Sequence, residues 1–300
     1  MDSHFNNRVL ITGIGGFTGR HLKKHLEKQG MEVYGTTYTS SSMEDTFPVN
    51  LTDAASVLDI INKVEPSYIV HLAAISFVGH GDATEFYRVN VVGTENLLQS
   101  VIKSKANVKK VIVASSANIY GNTDVDLISE SFPPEPVNHY ACSKMAMEKI
   151  VANYCTKLPI IITRPFNYTG VGQAEHFLVP KIVSHFKQKK SEIELGNLDV
   201  YRDFSSVDFV VNAYAKLLQS DVKSEVFNIC SGNSYSLKQI IESLEAQAGY
   251  KINVSVNPAF VRADEVKKIT GDNNKLLNLF PELKVIRLEE VLESMLLVSE

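Results

Sequence analysis

The chain has 300 residues, 44% of them apolar, with 30 lysines and arginines against 34 aspartates and glutamates and a net charge of -4. That is enough apolar residue for one large or two ordinary cores, and the near balance of charge, without a basic block, argues against nucleic acid as the main partner. Cys142, Cys155 and Cys230 are odd in number and far apart, which speaks against a disulfide framework or a CxxC metal site and suits a reducing cytosol.

The first apolar run, in MDSHFNNRVLITG, is short and ends in glycine, so it reads as a strand and not as a signal peptide. No apolar stretch reaches the roughly 18 to 20 residues of a membrane span, and the expectation is a soluble protein. Apolar runs at 9–12, 31–36, 68–72, 111–114 and 160–163 alternate with segments of helical period at 18–29, 53–64, 85–105 and 139–157. Asp53 stands where it would cap the second of these helices. This alternation predicts an α/β fold, a Rossmann-type doubly wound parallel sheet. RPFNYTGVGQAEHF then reads as a loop over a site. A helix at 179–189, a strand at 192–195, a helix at 207–218 and a last strand at 226–229 follow. SLKQIIESLEAQAGY and a helix at 288–298 complete a smaller C-terminal α/β lobe.

In VLITGIGGFTGRHL, Gly13, Gly16 and Gly19 fall between the first strand and the first helix. The first glycine permits a tight turn, the second lets backbone amides approach a diphosphate, and the third lets helix and strand pack closely. At the first strand of a doubly wound pattern this favours dinucleotide binding over a plain turn. Residues 1–165, with returning segments near 205–230, are therefore expected to form the dinucleotide-binding domain, and residues 166–300 mainly a substrate-binding lobe.

With Thr12 and Phe17, these glycines resemble the TGxxGFxG signature of the extended short-chain dehydrogenase/reductase superfamily, the NAD-dependent epimerase/dehydratase family. The resemblance implies that Gly13, Gly16, Phe17, Thr18 and Gly19 hold the cofactor. The second strand, VYGTT, ends without the carboxylate that would bind a ribose 2′-hydroxyl and without a basic residue for a 2′-phosphate; Thr36, Thr37, Tyr38 and Ser40 offer hydrogen bonds instead. NADPH is the expected cofactor, with NADH open. Asn50-Leu51 stands where the family has Asp-Leu facing adenine, the amide carbonyl accepting from the adenine amine. Leu72, Ala73 and Ala74 match the family's turn beside the nicotinamide ribose and diphosphate, while His71 reads as a core histidine. Asn90 matches a family helix position that shapes the site, and a buried structural asparagine explains it equally well.

HYACSKMAMEK places Tyr140 and Lys144 four apart on one helix face, and VIVASSANIYG ends an apolar run in Ser115-Ser116. A tyrosine of ordinary pKa about 10 is a poor acid-base group near neutrality, but a neighbouring ammonium stabilises its phenolate. The set resembles the superfamily's Ser/Thr-Tyr-Lys triad, with Tyr140 and Lys144 also meeting the cofactor. Ser116, five residues before Gly121, is the matched hydroxyl; Ser115 is a supporting donor or simply the strand end.

RPFNYTGVGQ and YRDFSSVDFVVNAY resemble the RPFNxxGxGQ and RDFxxVxD segments of nucleotide-sugar modifying members, so that the likeness spans nearly the whole chain. It implies a diphosphate held by arginine forks, with Arg202 and Arg262 as candidates against the plainer reading of surface ion pairs. Asn167 would touch the diphosphate or sugar, Asn118 the substrate beside Ser116, and Gln173, Phe177 and Lys181 the nucleotide pocket, unless Phe177 is core. Dehydration at C5 and C6 needs acid and base groups, which the family's dehydratases place directly after the catalytic Ser/Thr. Here those positions are Ala117 and Asn118. The expected reaction is thus NAD(P)H-dependent reduction of the C4 keto group of a GDP- or dTDP-linked 4-keto-6-deoxyhexose, as in the GDP-4-keto-6-deoxymannose reductase branch, serving surface polysaccharide. An NDP-hexose 4-epimerase retaining NAD is the alternative; a 4,6-dehydratase and a catalytically silent nucleotide-binding scaffold are disfavoured. Family members dimerise through two helices, here 85–105 and 139–157. No metal, membrane or nucleic-acid partner is expected.

Overall fold

The computed structural model describes residues 7–76, 82–123, 125–260 and 267–298. Its first half runs β1 (Arg8–Thr12), α1 (Phe17–Lys28), β2 (Glu32–Thr37), β3 (Thr46–Pro48), α2 (Ala54–Val64), β4 (Tyr68–His71) and α3 (Ala83–Tyr87). A π turn (Arg88–Val92) leads into α4 (Gly93–Lys103), and β5 (Lys110–Ala114), a 3-10 turn (Ala117–Tyr120), α5 (His139–Ala152) and β6 (Ile160–Pro165) follow. The second half contains β7 (Asn167–Thr169), α6 (Leu178–Lys187), β8 (Glu192–Leu195), β9 (Tyr201–Ser206), α7 (Val207–Gln219) and β10 (Glu225–Ile229). It closes with β11 (Ser234–Ser236), α8 (Leu237–Ala248), β12 (Asn253–Val256), β13 (Lys268–Ile269), α9 (Asn274–Leu279) and α10 (Leu288–Leu297).

The chain divides into two compact units. The first takes the residues up to Gly121, Pro133–Arg164 and Val211–Phe227; the second takes Asn122–Phe132, Pro165–Val210 and the residues from Asn228 onward. A seven-stranded sheet is ordered β10-β6-β5-β4-β1-β2-β3, and β3, β2, β1, β4, β5 and β6 pair in parallel. This is the Rossmann order, with the chain reversing its direction of travel across the sheet after β3. Alternate strand residues sort to opposite faces. Leu10, Ile69, Val111, Val113 and Ile160 pack with Val57 and Ile61 of α2, Leu97 and Val101 of α4, and Met147 and Val151 of α5. Each such buried side chain contributes about 1.5–3 kcal/mol. Val9, Ile11, Val70, Ile112 and Ile161 point the other way and are equally buried, as are Leu22 and Leu26 of α1 and Tyr214 and Leu217 of α7. Asp53 caps α2 as expected, its carboxylate accepting from Ala55 N–H at 3.1 Å.

The second unit holds β9 between β11 and β13, with β7 also pairing β9, and a separate β8-β12 pair. Its core joins Ile182 and Phe186 of α6, Ile240 and Leu244 of α8, and Leu292 and Met295 of α10.

Several expectations change. The strand at 226–229 is not the last, since β11, β12 and β13 follow it. β9 lacks an apolar alternation, so YRDFSS did not read as a strand, and three-residue β7 lies inside the stretch expected to be a loop. The helix expected at 85–105 is interrupted by the π turn, and the one expected at 139–157 ends at Ala152. Among the described residues no helix is long and apolar enough to cross a membrane, and no cluster of three or more His, Cys, Asp or Glu side chains is placed to hold a metal ion.

Candidate active site

The turn from β1 to α1 is built by its glycines. Gly13 has φ +73°, and a Cβ there would lie 2.9 Å from the Ala73 backbone, so the turn after β4 approaches as closely as it does only because Gly13 is bare. Gly13 N–H and Ile14 N–H both donate to Thr36 O, at 2.9 and 3.1 Å. A Cβ on Gly19 would meet Gly13 O and Ile14 at 2.6 Å, which is how α1 packs onto the turn. Gly16 begins α1 with no side-chain cap. A helix N-terminus of this kind, reached over bare glycines, fits a diphosphate, and Phe17 and Thr18 are its first two residues. Thr37 ends β2 with its Oγ1 donating to Thr39 O at 2.7 Å, and Tyr38 is 77% exposed beyond it. Leu51 is buried. Asn50 departs from expectation: its carbonyl oxygen already accepts from Thr52 N–H at 3.0 Å and Thr52 Oγ1 at 2.8 Å, so both lone pairs are occupied within the turn.

The turn at Leu72, Ala73 and Ala74 is held from β1. Leu72 N–H donates to Thr12 O at 3.2 Å and Ala73 N–H to Thr12 Oγ1 at 3.2 Å. His71 is a core histidine whose tautomer can be deduced. Thr94 Oγ1 donates to Asn90 O at 2.6 Å, so it accepts from His71 Nε2–H at 2.9 Å, and His71 Nδ1 accepts from Thr12 Oγ1 at 2.7 Å. Burial, and secondarily the charge of Lys144, lowers the His71 pKa to about 3, consistent with this neutral form. Asn90, in the π turn, is also buried; Nδ2 donates to Ser143 Oγ at 3.0 Å and to Ile75 O at 3.1 Å, and Oδ1 accepts from Ile75 N–H at 2.9 Å.

Tyr140 and Lys144 share a face of α5, whose start is capped by Asn138 accepting from Ala141 N–H at 2.9 Å. They are 8% and 4% exposed. Lys144 Nζ donates to Ala114 O at 2.8 Å, which sets it against the end of β5, two residues before Ser116. Its other two N–H bonds have no acceptor among the described residues. Burial, opposed by Glu148, lowers the Lys144 pKa to about 8. Ser116 caps the 3-10 turn, its Oγ accepting from Asn118 N–H at 3.2 Å. That oxygen is already an acceptor, so its hydrogen is left to donate to an incoming oxygen. Ser115 Oγ is buried and without a hydrogen-bond partner among the described residues. Ala117 is buried behind Ser116 and Asn118 is half-buried; neither carries a carboxylate.

In the second unit Asn167 is exposed on β7, which pairs with β9, the strand of Arg202. Arg202 is half-buried, with Nη1 donating to Tyr201 O at 2.9 Å. Gln173 is folded back, accepting from Thr169 Oγ1 at 2.7 Å and donating to Tyr168 O at 3.3 Å. Lys181 donates to Glu194 O at 2.9 Å and lies 4.8 Å over the Phe260 ring. Phe177, 40% exposed against His176, is not core. Arg262 lies outside the described residues. Asp203, beside Arg202, went unnoticed in the sequence. It is fully buried and accepts from Ser231 N–H, Ser231 Oγ, Gly232 N–H and Gly271 N–H at 2.7–3.2 Å. Burial pushes its carboxyl up to about 6 against those hydrogen bonds.

A bare glycine turn into an uncapped helix on a Rossmann sheet, with a buried Tyr-Lys pair set against a serine-capped turn, defines an extended short-chain dehydrogenase/reductase. Within that class the chain belongs to the family described as GDP-mannose 4,6 dehydratase, whose model matches residues 10–295. It is 41% identical over 297 residues, 97% of this chain and 98% of its relative, to the GDP-6-deoxy-D-talose 4-dehydrogenase of Aggregatibacter actinomycetemcomitans. It is 29% identical over 284 residues, 90% of this chain and 89% of the relative, to the GDP-6-deoxy-D-mannose reductase of Pseudomonas aeruginosa. The structure of RMD from Pseudomonas aeruginosa complexed with NADPH superposes with a TM-score of 0.84 at 26% identity, over 96% of this chain and 97% of that one.

Proposed function

We propose that this protein interconverts the C4 keto and C4 hydroxyl forms of a GDP-linked 6-deoxyhexose, working as an NAD(P)H-dependent 4-ketoreductase. The carrying observation is the set Ser116, Tyr140 and Lys144 with no carboxylate following Ser116. Bound NAD(P)H supplies the hydride at C4. Tyr140 donates its proton to the oxygen that gains charge there, and Ser116 holds that oxygen through its remaining hydrogen. Lys144, still largely protonated below about pH 8, stabilises the phenolate left on Tyr140 and offers its two other N–H bonds to the cofactor ribose. A C4 ketone needs one proton and one hydride, whereas dehydration needs an added acid and base, for which Ala117 and Asn118 supply nothing. The sequence relatives carry GDP-sugar names, which favours GDP over dTDP. The missing carboxylate after Thr37 favours NADPH.

Asn167, Arg202 and Lys181 are the proposed contacts of the nucleotide sugar. Gln173 would have to leave Thr169 to join them, and Asn50 would meet adenine through its NH2 and not its carbonyl. With this reading go a cytosolic enzyme, in keeping with three free cysteines, and a homodimer through α4 and α5, with Ile102 of α4 and Val92 of the preceding π turn exposed.

The test is oxidation of NADPH and NADH against freshly made GDP- and dTDP-4-keto-6-deoxyhexoses, with NMR of the product. The two named relatives correspond to opposite C4 configurations, so the coupling constants of H4 decide between talose and mannose forms. Isomerisation of a nucleotide sugar on tightly held NAD, with no consumption of added NADPH, would establish the epimerase instead.

A further inference from the structure

Arg164 lies at the end of β6, and none of the steps above uses it. Its Nε donates to Glu148 Oε1 at 3.0 Å and its Nη2 to Glu148 Oε2 at 2.7 Å. Nη1 donates to the Tyr120 hydroxyl at 2.9 Å. Arg164 is 6% and Glu148 8% exposed, so this forked pair is almost entirely removed from water. A buried pair recovers its desolvation cost only when its hydrogen bonds are made, and even then adds little net stability over apolar packing. What such a fork does impose is a fixed geometry.

The segments it joins carry the chemistry. Glu148 is four residues beyond Lys144 and eight beyond Tyr140, on the same stripe of α5. Tyr120 ends the 3-10 turn that Ser116 caps. β6 runs beside β5, with Thr163 in register with Ala114, whose carbonyl holds Lys144.

We propose that Arg164 is a positioning residue of the reaction, locking the turn that presents Ser116 and the helix that presents Tyr140 and Lys144 into one spacing without touching substrate or cofactor. The proposal rests on the reductase reading given above. It has an electrostatic side as well. Lys144 interacts with Glu148 on its own helix and with His71 from β4, and Arg164 from β6 pairs with that Glu148. Burial works against the charge of Arg164, but Glu148 and Tyr120 outweigh it and push its pKa up. Arg164 holds the Glu148 carboxylate in place, and Glu148 in turn supports the proton on Lys144.

The test is a pair of variants. Arg164→Lys keeps the charge and loses the fork. It is expected to lower kcat on the order of 10- to 100-fold, the size of effect that follows from slightly misplaced reacting groups, with NADPH affinity by fluorescence titration little changed. Glu148→Gln removes the carboxylate that favours the Lys144 proton, so the alkaline limb of kcat/KM and the alkaline weakening of NADPH binding both move to lower pH. A part played only in holding the fold would move neither limb. The double variant Arg164→Met with Glu148→Met, which removes both charges at similar bulk, controls for folding and is expected to retain the low kcat. Wild-type kcat in Arg164→Lys, or unmoved limbs in Glu148→Gln, overturns the proposal alone. A wild-type protein that binds NADPH but reduces no 4-keto sugar overturns the reductase reading and the proposal with it.

Discussion

Asn90 reaches Ser143 across 3.0 Å while its amide closes on Ile75 from both ends, so one side chain ties the turn after β4 to the helix of Tyr140. All three hydrogen bonds are made in buried or partly buried surroundings. Asn90→Ala leaves Ile75 N–H and Ile75 O without their partner, while the Ser143 hydroxyl keeps its bond to Tyr140 O, and each stranded group costs about 1–3 kcal/mol. Ser143→Ala removes a single hydroxyl and costs about 0.5–1.5 kcal/mol. Urea titration of both variants checks the order; equal stabilities would show that the amide is not the tie.

Tyr140→Phe keeps the ring, and with it the packing against Phe86 at 6.1 Å between centroids. NADPH should bind with near-normal affinity while turnover falls on the order of 10²- to 10⁴-fold, the worth of a positioned proton donor. Fluorescence titration beside steady-state kinetics separates the two. Near-normal turnover would reject the assignment of Tyr140.

Lys144 titrates at about 8 in the folded protein against 10.5 ordinarily, because its ammonium is buried. Between these values the unfolded chain holds the proton and the folded one has released it, so stability rises with pH across that window. Below about pH 8 the buried ammonium weighs against folding by up to about 3 kcal/mol. Lys144→Met, of similar bulk, is therefore expected to abolish turnover and yet raise the melting temperature of the cofactor-free protein at neutral pH. The gain should fade as pH rises from about 8 to 10.5. A lower melting temperature at pH 7 would show that the bond to Ala114 O outweighs the burial of charge.

Gly13 and Gly30 both have positive φ, +73° and +78°, but only Gly13 faces the Ala73 backbone; Gly30 has open space around its missing Cβ. Alanine at Gly30 should cost about 1 kcal/mol and leave NADPH binding intact. Alanine at Gly13 adds a collision at 2.9 Å to the same backbone strain, and should abolish NADPH binding. Undiminished binding in the Gly13 variant, measured on folded protein, would detach the glycine turn from the cofactor.

The first unit was legible in the sequence because its signals are local. Strands buried on both faces read as unbroken Val and Ile runs, the glycine turn has a fixed spacing, and Tyr140 and Lys144 share a helix face by their separation alone. β9 was not legible, because Phe204 is the one apolar side chain among its four consecutive buried residues, and Asp203, Ser205 and Ser206 are polar groups that no apolar alternation would place inside. The RDF triplet pointed to Arg202 and drew attention away from Asp203, the more deeply buried neighbour. The engagement of Asn50 by Thr52 and the folding back of Gln173 on Thr169 are side-chain choices that no periodicity records. Glu148, one turn past Lys144, was not read from the sequence, although a carboxylate on the buried stripe of α5 requires a cation opposite.

The π turn fixes something that sequence identity does not measure. Gly93 N–H bonds back five residues to Arg88 O, so this stretch holds one residue more than an α-helix of the same length. Removing any residue between Tyr87 and Thr94 would rotate everything downstream by about 100°. Asn90 would then be lost from Ser143, or Thr94 from His71. Chain length here is thus a constraint in its own right: a substitution at an outward position leaves the register intact, while a single insertion or deletion would disable the site without altering any residue in it.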